Sequence, residues 1–521
     1  MVFAIAAGVC GATRAGDKKP MVLFNHDAGA GSLTEAEPPI TQKQVCRQLD
    51  ELEGTSVGVF LFCCNIGGDM FLYPSKVGET CGAFKIADWN ILHPKYRNEI
   101  RRTTQNLKHL SQAGLDPIEI IQRRARQLGI RFWISFRMND IHEDDIRWGG
   151  LRSQYKLANR HLLIEKDYPQ DGMGAIYASK FGYSYAWDYG REETRRHILA
   201  VLAEMLDKYE LDGLELDFMR HPIFFKCGQE IKGATLMTDF VRKVRAEVDR
   251  VAKAKDREIT FAVRVYPTLV RCEKAGLDVQ TWIKDGLIDL VTPMDPGYMD
   301  MQPSLREFVA AANGTKVKIA GGLENISRDY GPLSKAQAYA AASAFLEQGA
   351  DAIYFFNYDC HRHKGRTQPY TSEEIEILNN IGQPQKFARS DKHYFVTRDT
   401  SLKTPEDGGS GQLPSVLTPG KPRQFSFTLG DKLQSAHHNA ILTVTFKDYD
   451  AKNNRLTLLL NDIASEKGDL SVAGQVIRWQ KPPIRQGNNV LDITVSGSED
   501  VLVEKIEIAI SYPSRCIHYN L

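Results

Sequence analysis

Apolar and polar positions along this chain fall into two textures. Up to about residue 385, short apolar runs alternate with longer stretches of helical spacing. The runs lie at 21–24, 57–62, 131–136, 211–218, 259–265, 287–292, 316–320 and 351–356, and most end in a polar cluster. Helical spacing is clearest over 41–52, 117–128, 192–209, 277–285 and 334–347. Eight strands with helical segments between them predict an α/β fold, a (β/α)8 TIM barrel. Such barrels typically need ~250 residues and more with insertions. The competing fold is a doubly wound sheet. It lacks its usual signals here, because neither a Gly-x-Gly-x-x-Gly fingerprint nor a phosphate loop is present. A long polar and aromatic stretch between 137 and 187 reads as a functional insertion.

After residue 385 the period changes. Residues 404–422 are rich in Gly, Pro, Ser and Asp, the composition of a linker. Alternating runs follow at 423–429, 440–446, 455–460, 489–495 and 503–511, and predict a small all-β sandwich. The expected organisation is therefore an N-terminal segment 1–19, a barrel 20–385, a linker 386–422 and a β-sandwich accessory domain 423–521. Trp479 is the one aromatic expected on the sandwich surface, so the sandwich is expected to brace the barrel.

Composition narrows the class. Lys plus Arg number 66 and Asp plus Glu 65, a formal net charge of +1. That balance gives no support for nucleic-acid binding. No apolar run is long enough to span a bilayer. Residues 1–12 are apolar and small and 13–20 are polar, which reads as a signal-peptide remnant and an exported protein, secreted or periplasmic. The nine cysteines show no zinc spacing.

The chemistry concentrates in Leu211-Asp-Gly-Leu-Glu-Leu-Asp-Phe-Met-Arg-His-Pro222. Period-2 alternation puts Gly213, Glu215 and Asp217 on one face and Leu214, Leu216 and Phe218 on the other. In a barrel the first face is the lumen, and Asp217 stands at the strand's C-terminal end, where barrel enzymes keep their chemistry. Asp217 is the first catalytic candidate, and a structural Asp paired with Arg220 or Arg264 is the competing reading. Glu215 lies two residues deeper, as a group that holds Asp217 or an arginine in place. Asp295 after the sixth strand and Glu324 after the seventh are equal candidates for a partner acid, and a solvated loop carboxylate is the alternative for each.

Asn25, His26, Arg137, Asn139, Arg220, Lys226, Arg264 and His361 are expected at the same mouth. The arginines suit anionic oxygens, unless each neutralises a buried acid. Trp148, Tyr155, Trp187, Tyr266 and Tyr298 offer flat faces, against ordinary packing. Cys360-His361-Arg362-His363 and His142-Glu143-Asp144-Asp145 do not match a known metal spacing, so no metal or other cofactor is expected.

Two segments, Trp187-Asp-Tyr-Gly-Arg-Glu-Glu-Thr-Arg-Arg196 leading into 211–222 and Ser135-Phe-Arg-Met-Asn-Asp140, resemble the glycosyl-hydrolase-like family ten barrels. The resemblance covers 20–385 loosely and these motifs well. It implies a bacterial barrel glycoside hydrolase acting on a polysaccharide or oligosaccharide by two carboxylates, with Asp217 at the family's acidic strand-four position. The strand also resembles the chitinase motif Asp-Gly-x-Asp-x-Asp-x-Glu, but Met219 stands where the acid Glu belongs, and a thioether donates no proton. The surplus of arginine suggests an anionic sugar. Two rival functions are a non-catalytic glycan-binding barrel and a metal-dependent hydrolase of another bond.

Overall fold

The computed structural model describes residues 19–27, 31–66, 69–81, 94–141, 153–164, 185–295, 297–327, 329–397, 411–433, 438–447, 449–450, 453–466 and 468–513. The expected N-terminal signal, Trp148 and the 142–145 acidic run lie outside them.

Eight parallel strands close into a barrel. They are β1 (Met21–His26), β2 (Val59–Cys63), β3 (Arg131–Arg137), β4 (Gly213–Asp217), β5 (Thr260–Val265), β6 (Leu290–Pro293), β7 (Lys318–Glu324) and β8 (Ala352–Phe356). Around the barrel the order is β1-β8-β7-β6-β5-β4-β3-β2. Each expected strand is present, with ends displaced by a few residues. Alternation divides the core into two clusters. Leu23, Val59, Leu61, Trp133, Ala262, Leu290, Ala320, Ala352 and Tyr354 fill the lumen. Val22, Phe24, Phe60, Phe62, Leu214, Leu216 and Val263 join the layer under the helices. Gly213 is required by the lumen packing, because a Cβ there would lie 2.5 Å from the Trp133 ring.

The surrounding helices start where side chains can cap them. Asp116 accepts from the Ile118 N–H ahead of Pro117–Gln127. Ser334 with Gln337 and Thr371 with Glu374 form capping boxes on Lys335–Glu347 and Ser372–Asn380. The expected helix 41–52 is two short pieces, Gln42–Val45 and Arg47–Asp50. The longest helix, Glu230–Ala254, is not among the expected elements, although Met237, Phe240, Val241, Val244, Val248 and Val251 form a buried helical stripe.

The C-terminal part is a β-sandwich. Its first sheet runs β9 (Lys392–Phe395), then β18 (Val501–Ser511), β12 (Asn439–Lys447), β16 (Val476–Gln480) and β15 (Leu470–Ala473), with β10 (Ser415–Leu417) also paired to β18. Its second runs β11 (Arg423–Leu429), β17 (Gly487–Ser496), β13 (Arg455–Leu460) and β14 (Ile463–Ala464). The linker expected over 386–422 therefore contains two strands of the first sheet. They escape a pattern reading because β9 opens on Lys392, a charged residue that is buried here. Its Nζ donates to Asp431 at 3.0 Å and to the Phe387 and Ser390 carbonyls. Trp479, expected on the surface, is buried between the sheets.

The sandwich docks closely on the barrel. The Thr397 hydroxyl donates to Asp300 at 2.6 Å, and the Thr428 N–H to Gln302 at 2.8 Å. Gly430 lies so close to helix Lys335–Glu347 that a Cβ would sit 2.1 Å from the Ser343 carbonyl oxygen. Gly430→Ala is accordingly expected to destabilise the protein by about 1–3 kcal/mol through overpacking. Gly468→Ala, where a Cβ would meet nothing within 4 Å, is the control. Denaturation midpoints measure both, and equal midpoints would contradict the close docking.

Candidate active site

The lumen changes character toward the C-terminal ends of the strands. Below, it is apolar; above, the inward residues are Asn25, Ser135, Arg137, Glu215, Asp217, Arg264, Thr292, Glu324 and Phe356. Strand register sets Asp217 beside Arg264, and Arg264 beside Thr292.

Asp217 and Arg264 form a buried bidentate pair. Nε of Arg264 donates to Oδ1 at 2.9 Å and Nη2 to Oδ2 at 2.8 Å, while the Met219 N–H donates to Oδ1 at 2.8 Å. Asp217 is 1 % exposed and Arg264 fully buried. The guanidinium also reaches across the lumen, with its carbon 3.8 Å from the centre of the Phe356 ring on β8. Oδ2 accepts a single hydrogen bond here, so one of its lone pairs is uncommitted.

Glu215 lies one pleat deeper. Its Oε1 accepts from the Ser135 hydroxyl at 2.7 Å, the Tyr354 hydroxyl at 2.9 Å and the Asn25 amide at 3.4 Å. Burial, reinforced by the charge of Asp217, pushes its carboxyl up to about 7. The Ser135 and Tyr354 hydroxyls and the charge of Arg264 oppose that shift and do not cancel it. Tyr354, buried and facing Glu215, is held well above the ordinary phenol range, so it remains a donor.

Glu324 ends β7. Its Oε2 accepts from Asn357 at 3.0 Å, and its Oε1 is 3.4 Å from Nδ1 of His361. Burial raises this carboxyl too, against the influence of His361 and Arg264. Asn357 adopts the left-handed region, φ 53°, at the end of β8. Strained non-glycine residues of this kind cluster at functional sites. Asp295 is also buried, and its Oδ1 accepts from the N–H groups of Gly297 and Tyr298 at 2.9 and 3.1 Å. That arrangement ties Asp295 to its own loop, whereas Glu324 sits on the lumen face.

Several expected mouth residues have other surroundings. His26 follows inward Asn25 and therefore lies on the outer face of β1, stacked on Phe62 with centroids 5.8 Å apart. Burial lowers its imidazole to about 4. Arg137 donates to Asp27 and Asp140, each at 2.7 Å. Asn139 brackets the backbone of Trp187 and Ile223. Trp187 is fully buried near Tyr155, His197 and Lys156, and Tyr155 stacks on His197 at 4.3 Å. Tyr266 donates to the Pro222 carbonyl at 3.0 Å. Tyr155, Arg220, Lys226, Tyr298 and His361 are the candidates that retain partial exposure. Period-2 spacing from Ala352 would have found Tyr354 and Phe356, which the sequence reading leaves out; nothing in the sequence marks the backbone of Asn357.

The Cys360–His363 run is dispersed. Arg362 pairs with Glu51, and His363 faces the Leu333 carbonyl. Among the described residues, no group of three or more His, Cys, Asp or Glu side chains is arranged to hold a metal ion. No described helix is long and apolar enough to cross a membrane.

The class defined by the fold is a (β/α)8 barrel with a C-terminal β-sandwich. No family model matches the chain, so the likeness to family ten barrels remains a resemblance of motifs, and no curated protein matches it either. Among solved structures, a Paenibacillus sp. cycloisomaltooligosaccharide glucanotransferase is 9 % identical with a TM-score of 0.34, over 94 % of this chain and 57 % of that one. Alpha-L-fucosidase isoenzyme 2 from Paenibacillus thiaminolyticus is 11 % identical with a TM-score of 0.41, over 73 % of this chain and 52 % of that one. A maltogenic alpha-amylase from Thermotoga neapolitana is 10 % identical with a TM-score of 0.38, over 91 % and 98 %. The chain thus spans little more than half the length of the first two.

Glu215 gives stability a defined pH dependence. Its folded value of about 7 lies above the ordinary 4.5, so between these values the folded protein keeps a proton that the unfolded chain releases. Stability contributed here is present below pH 4.5 and falls as pH rises to 7, by up to about 3 kcal/mol. Glu215→Gln keeps a neutral group of the same shape. Its denaturation midpoint relative to wild type is expected to climb between pH 4.5 and 8; parallel pH profiles would refute the assignment.

Proposed function

We propose that this protein is a glycoside hydrolase in which Asp217 and Glu324 form the acid pair and Asp295 shapes the neighbouring loop. The observation that carries the reading is the unlike setting of two carboxyls at the C-terminal ends of β4 and β7. Asp217 is ion-paired by the fork of Arg264, while Glu324 is raised by burial. Opposed environments of this kind divide the roles of base and acid. In the proposed reaction Glu324 gives its proton to the glycosidic oxygen as the C–O bond breaks. Oδ2 of Asp217 meets the positive charge that develops at the anomeric carbon, by direct attack or by taking a proton from the attacking water. Arg264 holds Asp217 in place through two N–H donors. Tyr298, His361 and Arg220 line the approach.

The support for an anionic sugar weakens on the same evidence. Arg264 is committed to Asp217, and Arg137 to Asp27 and Asp140. A second reading, a barrel that binds glycan without cleaving it, is favoured by the 1 % exposure of Asp217 and the commitment of both its oxygens to Arg264.

Glu324→Gln separates the two readings. Because Glu324 is held toward its neutral form, the amide should leave the fold intact. Hydrolysis of unactivated glycans, measured as new reducing ends across a polysaccharide panel, is expected to fall by 10²–10⁴-fold. Aryl glycosides with acidic leaving groups need no proton and should lose far less. The alkaline limb of the pH–rate profile, set by loss of the Glu324 proton, should disappear. Asp217→Asn should abolish turnover and also lower stability by about 3–5 kcal/mol, since it leaves Arg264 buried and uncompensated. A wild-type protein inactive on the whole panel would eliminate the hydrolase.

A further inference from the structure

Four buried polar atoms on the inward face of the barrel rim have no hydrogen-bond partner: Oε2 of Glu215, Nη1 of Arg264, Oγ1 of Thr292 and Oε1 of Glu324. The last has only its 3.4 Å approach to His361. Their residues are at most 1 % exposed. An orphaned group in such a position costs on the order of 1–3 kcal/mol, and native folds leave few of them. All four belong to residues on the inward face of one barrel. Thr292 is the register partner of Arg264, Arg264 that of Asp217, and Glu215 is one pleat below Asp217 on the same face. Leu290 and Met294, two residues to either side of Thr292, belong to the lumen cluster, so the Thr292 hydroxyl faces inward as well.

The chemistry of the set defines what completes it. Arg264 offers a donor, Thr292 a donor and an acceptor, and the two carboxyls offer acceptors or, when protonated, donors. A sugar hydroxyl, which donates and accepts at one atom, satisfies such a mixture. A carboxylate or sulfate only accepts, and leaves the acceptor atoms of the set unmatched. The one cation of the set is already matched by Asp217, and the remaining groups carry only negative charge when they ionise. An anion placed here would face two carboxyls that repel it whenever they ionise.

We propose that this inward face of the barrel rim is a subsite for the uncharged hydroxyls of a sugar ring, that Thr292 is a specificity-determining residue in it, and that the glycan is neutral rather than uronic or sulfated. The proposal rests on the glycan reading above and fixes its substrate class.

The test uses the full chain, wild type and Thr292→Val, titrated calorimetrically with neutral methyl hexosides and with the matching hexuronates. Neutral hexosides are expected to bind, with each uronate at least about tenfold weaker, the worth of a lost or repelled buried contact. Thr292→Val should weaken hexoside binding about tenfold. Its unfolding midpoint should be unchanged or higher, because Oγ1 has no partner to lose. Uronates binding as tightly as hexosides, no hexoside binding, unchanged hexoside affinity in Thr292→Val, or a lowered midpoint in that variant would each overturn the proposal. Hexosides that bind in this pattern without any glycan being cleaved would remove the hydrolase and leave the subsite standing.

Discussion

The organising interaction of the barrel is the fork between Arg264 and Asp217. A buried guanidinium is tolerable only when an anion of matching geometry meets it, and removing either partner of such a pair strands the other charge in a medium that solvates it poorly. Here two parallel N–H···O contacts join β4 to β5, and the same guanidinium rests on Phe356 of β8. One side chain thereby couples strands on opposite sides of the barrel.

Those acids are graded by their surroundings. Glu215 has three hydrogen-bond donors and a neighbouring arginine, yet burial and the charge of Asp217 prevail and bring it near neutrality. Glu324 is raised mainly by burial, with His361 and Asn357 working against it. Asp217 is the acid paired with the arginine. The difference among them follows from position in the lumen, two on β4 and one on β7, since all three residues are carboxylates with the same intrinsic chemistry. Below them the apolar layer of Leu23, Leu61, Trp133 and Leu290 seals the barrel and provides the low-dielectric floor that makes burial effective.

The sandwich contributes to this rigidity from outside. Lys392 and Asp431 form a buried pair at the join, supported by the hydroxyls of Tyr394 and Tyr512 on the same carboxylate. With Trp479 in its interior and Gly430 against Ser343, the sandwich has the contacts of a brace. β9, which carries Lys392 and Tyr394, follows the last barrel helices directly, so little free chain separates the two parts.

What the sequence determined by itself was the set of eight strands and the inward face of β4, because both depend on local periodicity: apolar runs of strand length, polar ends, and a parity that sends Gly213, Glu215 and Asp217 one way. Parity also separates Asn25 from His26, as adjacent residues on a strand cannot both face the lumen. Tertiary structure decided the rest. It chose Arg264 as the partner of Asp217, gave Arg137 to Asp27 and Asp140, buried Trp187, and set Glu324 on the lumen while Asp295 turned to its own loop. These outcomes depend on which side chains from distant segments share a low-dielectric space. Residue type and spacing do not encode that proximity; closure of the barrel creates it.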